Sequence, residues 1–138
     1  MTGTQALVLG TSLVASFLFS GQRCVGAESP GSPVVRIAEL QIDPAQLDAY
    51  KLALKEEIET SIRVEPGVLT LYAVSVKEHP EQIRLFEIYE DMVAYESHLQ
   101  SPHLKTYKRR TQQMVKALKL IETDPILLSS KSRFSEKV

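Results

Sequence analysis

The chain has 138 residues, room for one domain rather than two. Seventeen acidic and sixteen basic residues give a formal net charge of -1. No global basic field therefore exists to hold nucleic acid by neutralising phosphates, and 43% hydrophobic residues mark a folded chain rather than a disordered one.

The elements follow in chain order. Ala6 to Phe19 carries no charge; this run is too short for a stable membrane span, which needs about 20 apolar residues. It suits the core of a secretory signal, with Val25-Gly26-Ala27 as the cleavage context, although no Lys or Arg precedes it. The expectation is a signal peptide over residues 1–27 and a periplasmic or secreted protein. The single cysteine, Cys24, excludes an intrachain disulfide and a thiolate-rich zinc site. Residues 28–33, ESPGSP, read as a linker.

Val34 to Ile42 reads as a strand, with Val35, Ile37, Glu39 and Gln41 on one face and Val34, Arg36, Ala38, Leu40 and Ile42 on the other. Asp43-Pro44 opens a helix, the acid as cap and the proline where an N–H would go unbonded. Its apolar stripe is Leu47, Tyr50, Leu54, Ile58 and Ile62, and Glu65-Pro66-Gly67 ends it. Val68 to Lys77 and Ile83 to Glu90 predict two strands of an antiparallel hairpin around a turn at 78–82. Asp91 caps a short helix to Leu99. Ser101-Pro102 opens a long one with the stripe Leu104, Tyr107, Thr111, Met114, Leu118 and Ile121. Ile126 to Leu128 is expected as the last strand, and residues 129–138 as a disordered polar tail. Strand, helix, strand, strand, helix, strand is the ferredoxin-like βαββαβ order of an α+β domain spanning 34–128.

Both faces of the sheet look apolar. Ile83, Leu85 and Tyr89 share one face of the third strand, Phe86 and Ile88 the other. In the second, Val68, Tyr72, Val74 and Val76 oppose Leu69, Leu71 and Ala73. Helices cover one face only, so the other predicts an interaction surface, and two such sheets packed together give a homodimer with a central barrel.

Glu65-Pro66-Gly67, then E-x-Y-x-D at residues 87–91, then His98 and Ser101-Pro102-His103-Leu104-Lys105-Thr106-Tyr107 resemble the antibiotic biosynthesis monooxygenase family over residues 34–128. The resemblance implies a dimeric α/β barrel with a pocket between sheet and helices in each subunit. It also implies that no flavin or metal is needed, because the substrate supplies electrons to molecular oxygen. The family spans several activities, so fold alone does not fix the reaction.

The chemistry-bearing residues are few. His103 stands in the first turn of a helix, whose dipole disfavours an imidazolium; a neutral ring there is a candidate base for a phenol-like substrate, or simply a helix-start histidine. His98, at the end of the short helix, caps that helix or takes a catalytic role by orienting His103 or the substrate. His79 belongs to the hairpin turn. Glu87, mid-strand among apolar neighbours, is a base, a substrate acceptor or half of an ion pair, and Glu39 has the same status. Tyr72, Tyr89 and Tyr107 either line a pocket and hold a flat ring or only pack the core; Met114 reads as core. The resemblance implies that the haem-degrading branch of the family relies on a Trp and an Asn; the chain has neither, so haem degradation is disfavoured. Metal binding is disfavoured because no third ligand joins His98 and His103, and the run Lys105, Lys108, Arg109, Arg110 reads as a solvated helix face. The leading expectation is a cofactor-independent monooxygenase of a quinol or similar small electron-rich aromatic. The alternatives are an isomerase of a small hydroxyketone and a non-catalytic exported ligand-binding module.

Overall fold

The computed structural model describes residues 31–131; the expected signal segment, 1–27, lies outside them, as do residues 132–138 of the tail. Strand β1 (Val34–Ile42) leads through a 3-10 turn, Pro44–Gln46, into helix α1 (Leu47–Val64). Asp43 accepts the Ala45 N–H at 3.0 Å and so caps the turn as the sequence predicts. Strands β2 (Val68–Val76) and β3 (His79–Tyr89) form the hairpin. Helix α2 (Met92–Gln100) is capped by Asp91 through the Ala94 N–H, 2.8 Å. Helix α3 (Pro102–Thr111) is capped by Ser101 through the Leu104 N–H, 3.4 Å. Strand β4 is Val115–Thr123. All pairings are antiparallel in the order β2-β3-β1-β4, which is the ferredoxin-like arrangement. Among the described residues no helix is long and apolar enough to cross a membrane.

Four expectations need correction. The hairpin turn is only Lys77-Glu78, and His79 already lies in β3. The last helix stops at Thr111, whose hydroxyl donates to the Tyr107 carbonyl, and Met114 turns the chain by donating to the Thr111 carbonyl. Leu118 and Ile121, expected on that helix, lie in β4 opposite Leu40 and Ile37 of β1. An apolar run at these spacings fits either period. The unpaired edge of β1 decides, because a strand pairs its backbone groups by taking a neighbour. Ile126 to Leu128 is therefore no strand: it follows Asp124-Pro125 and is exposed, Ile126 fully. Finally, a register shift between Val68 and Thr70 turns Val68 onto the helix side, where it packs with Val34 and Tyr89.

The core lies between the sheet and the helices: Ala38, Leu40, Ile42, Tyr50, Leu54 and Ile83, flanked by Tyr107, Met114 and Val115. On α1 the buried face is Tyr50, Ala53, Leu54, Glu57 and Ser61, while Ile62 of the expected stripe is 48% exposed. The helix thus turns two polar residues inward in its second half. Gly67 lets β2 start against α2; a Cβ there would stand 2.5 Å from Ala94 Cβ. The opposite sheet face carries Val35, Ile37, Phe86 and Ile88 in register, beside Tyr72 and Val74, which are 50% and 60% exposed.

Candidate active site

A cavity of about 300 Å³ opens between the sheet and the helices, with a wall of Leu40, Leu54, Leu71, Leu85, Leu104 and Leu120. Its polar groups come from four elements: Glu87 and Tyr89 on β3, Glu57 on α1, His98 on α2, and Tyr107, Lys108 and Thr111 on α3. A more open recess of about 340 Å³ lies between α1 and α3 and is lined by His103, Glu57 and Arg110.

Glu65 joins the two spaces. As C-cap of α1 it stops the helix, and its Oε1 lies 2.9 Å from Nδ1 of His98 and 2.6 Å from Nε2 of His103. A carboxylate only accepts, so each ring donates through the nitrogen facing it. In a neutral His98 ring this contact puts the proton on Nδ1 and the lone pair on Nε2, which lies 3.9 Å from Oε1 of Glu57. Burial raises the Glu65 carboxyl, but hydrogen bonds from His98 and His103 outweigh burial and leave it below the ordinary carboxylate value. Glu57 is held in turn by the Ser61 hydroxyl at 2.7 Å.

Glu87 behaves oppositely. Burial lifts its carboxyl above the usual range, only partly offset by the Tyr89 hydroxyl, which donates to Oε2 at 2.9 Å. Tyr89 is fully buried, edge-on to Tyr95 at 5.1 Å and 5.3 Å from the His98 ring. Burial and the neighbouring Glu87 push its phenol up. Tyr107 lines both spaces and shares a 2.7 Å hydrogen bond with the Tyr50 hydroxyl; burial raises both phenols. Arg36 lies over the Tyr95 ring, 5.0 Å from its centroid.

The structure thus gathers His98, Glu87, Tyr89 and Tyr107 around one cavity, whereas Tyr72 borders it only from the edge strand, its register partner being Phe86 on the open sheet face. It does not bring His103 or Glu39 there. His103 lines the outer recess, and the helix end alone does not set its charge, because a carboxylate stands at 2.6 Å. Glu39 faces the open side of the sheet, 3.7 Å from Arg84, its cross-strand partner. Sequence reasoning missed Glu57, Ser61 and Glu65 as site residues. Their signal was a spacing of four, Glu57-Ser61-Glu65, which stacks polar groups on one helical face beside an apolar stripe.

The sequence profile of the antibiotic biosynthesis monooxygenases matches residues 33–110, more than half of the chain. The chain belongs to the antibiotic biosynthesis monooxygenase family. Its fold matches a candidate antibiotic biosynthesis monooxygenase from Bacteroides thetaiotaomicron at a TM-score of 0.71 and 48% identity, over 72% of this chain and 97% of that one. A candidate monooxygenase from Lactobacillus acidophilus is 28% identical, over 65% of this chain and 43% of that one, with a TM-score of 0.64. Rv0793 of Mycobacterium tuberculosis shares the fold at a TM-score of 0.65 and 24% identity, over 72% of this chain and all of that one. No curated protein matches the chain. The family segment ends within α3 and includes Glu57, Glu65, Glu87, His98 and His103; β4 lies beyond it.

Proposed function

We propose that the protein is a cofactor-independent monooxygenase of a quinol or similar electron-rich aromatic, and that His98, not His103, is its base. The observation that carries this is the Glu65–His98 hydrogen bond: it pins the Nδ1 proton and leaves the Nε2 lone pair of a buried imidazole at the cavity wall. A carboxylate behind a histidine also stabilises the imidazolium that forms when the ring takes a proton. The cavity, mostly apolar and about 300 Å³, is at the small end of the range for ligand sites and suits a small ring system.

In this reading the substrate hydroxyl gives its proton to His98, and burial favours electron donation from the phenolate to oxygen over mere solvation of the charge. The radical pair collapses to a carbon-bound peroxide that takes the proton back from His98; the O–O bond then breaks as the ring C–H gives its proton to His98, leaving a carbonyl. Glu87, whose carboxyl is raised by burial, supplies a proton to the departing oxygen. Tyr107 flanks the ring. The apolar open sheet face supports a homodimer, with each subunit holding its own cavity.

The same pairing of a carboxylate-backed imidazole with a protonatable Glu87 also suits proton shuttling on a hydroxyketone. Oxygen electrode traces with a panel of quinols separate the two. Oxygen uptake matched to product is expected; turnover of a hydroxyketone without oxygen uptake would replace the oxygenase with the isomerase, and binding without turnover would leave a ligand carrier.

A further inference from the structure

A different chemistry is available to the same helices. Glu57, His98 and His103 come from α1, α2 and α3, and one donor atom of each lies within 4.8 Å of the others. The side chains of Glu57 and His98 are each 6% exposed, and that of His103 is 18% exposed. From these residues we infer that the cluster is a binding site for a first-row divalent transition ion of the zinc class, with Glu57, His98 and His103 as ligands and Glu65 behind both imidazoles.

Three observations carry the inference. Two imidazoles and one carboxylate form the mixed nitrogen–oxygen set that such ions favour over calcium or magnesium. Glu65 Oε1 takes a proton from each ring, the outer carboxylate–histidine contact that fixes tautomer and orientation at metal centres. Burial points the same way: Glu57 and His98 are both buried, with a carboxylate oxygen and a ring nitrogen 3.9 Å apart, so an ion between them would be held away from solvent.

The spacing is workable. Bonds of about 2.0–2.1 Å set tetrahedral donors roughly 3.4 Å apart. His98 Nε2 and Glu57 Oε1 are 3.9 Å apart and the His103 donor lies within 4.8 Å of both, so side-chain rotation, largest at His103, closes the set. Three protein ligands leave a fourth position open, and Glu57 borders both the cavity and the outer recess, so either space can supply a water or a ligand to it. An ion here takes the lone pair that His98 uses as a base, so the two occupations of the site are alternatives. Metal binding is read by titration without substrate, so its failure and the failure of the oxygenase reading are distinguishable.

The test is calorimetric titration of the tag-free full chain with ZnCl2, paired with CoCl2 titration followed by visible absorption. One saturable equivalent is expected, with the intense bands of a low-symmetry cobalt site. Glu57→Gln and His98→Gln abolish it, Glu65→Gln weakens it by about 10–100-fold, and His79→Gln, on the exposed hairpin, leaves it unchanged. Histidine ring nitrogen resonances of the unmutated chain give a readout that does not depend on the variants folding. Zinc should shift those of His98 and His103 and spare His79. Absence of saturable binding, or binding that shifts His79 alone, overturns the site.

Discussion

One carboxylate organises the chemistry at the level of single residues. Glu65 stops α1 and in the same position takes a hydrogen bond from each of two histidines on two other helices. Replacing His98 by Gln is expected to lower quinol turnover by about 10²–10⁴-fold, the loss typical of a missing general base. His103→Gln should cost less, because it lines the recess and not the cavity; steady-state rates read against thermal midpoints check both, and equal losses would return the base role to His103. The acid limb of stability provides a second check. A carboxyl lowered on folding stabilises the protein above its unfolded value, near 4.5, and that stabilisation is lost as pH falls through its folded value. Glu65→Gln should therefore flatten the decline of unfolding free energy below pH 4.5. Glu87 has the opposite sign. Its raised carboxyl disfavours the folded state once pH exceeds 4.5, so Glu87→Gln should stabilise the protein at neutral pH and make no difference in acid. Urea unfolding across pH separates the two effects.

At the level of elements, the joint between α1, β2 and α2 holds this geometry. Glu90 N–H donates to the Gly67 carbonyl at 2.8 Å, and a methyl at Gly67 would collide with Ala94. Gly67→Ala is expected to cost about 1–3 kcal/mol, the range for overpacking a close contact. Because it would shift α2 relative to α1, it should also disturb the His98–Glu65 pair. Thermal denaturation measures the first effect and the His98 ring resonances the second; an unchanged midpoint would show that α2 yields freely there. The capping residues Asp43, Asp91 and Ser101 were all legible beforehand, because a cap is a local event between a side chain and N–H groups two or three residues on. The end of α3 was not legible: Met114, Leu118 and Ile121 keep helical spacing, and only pairing with β1 selects a strand for the last two.

At the level of the whole molecule, the sheet has one covered face and one apolar open face, with Ile37, Phe86 and Ile121 in register across β1, β3 and β4. Light scattering at micromolar concentration is expected to give a dimer, and Phe86→Lys, on the open face away from the cavity, a folded monomer. A monomeric unmutated chain would sink the sheet-to-sheet arrangement. In the dimer, Glu39 and Arg84, which pair on that same face, are expected to be partly buried in the interface rather than to serve the site.

The sequence by itself determined the order of elements, the capped helix starts, the two-faced apolar sheet and the family, because periodicity and caps act over a few residues. It also singled out Glu87, His98 and the tyrosines, each unusual for its local position. Which of them meet was decided by tertiary structure alone. The partner of both histidines, Glu65, is 33 and 38 residues away in the chain, and no local rule couples positions so far apart. A shared hydrogen-bond acceptor exists only once three helices have packed, and that packing turned His103 outward and put the lone pair of His98 at the cavity.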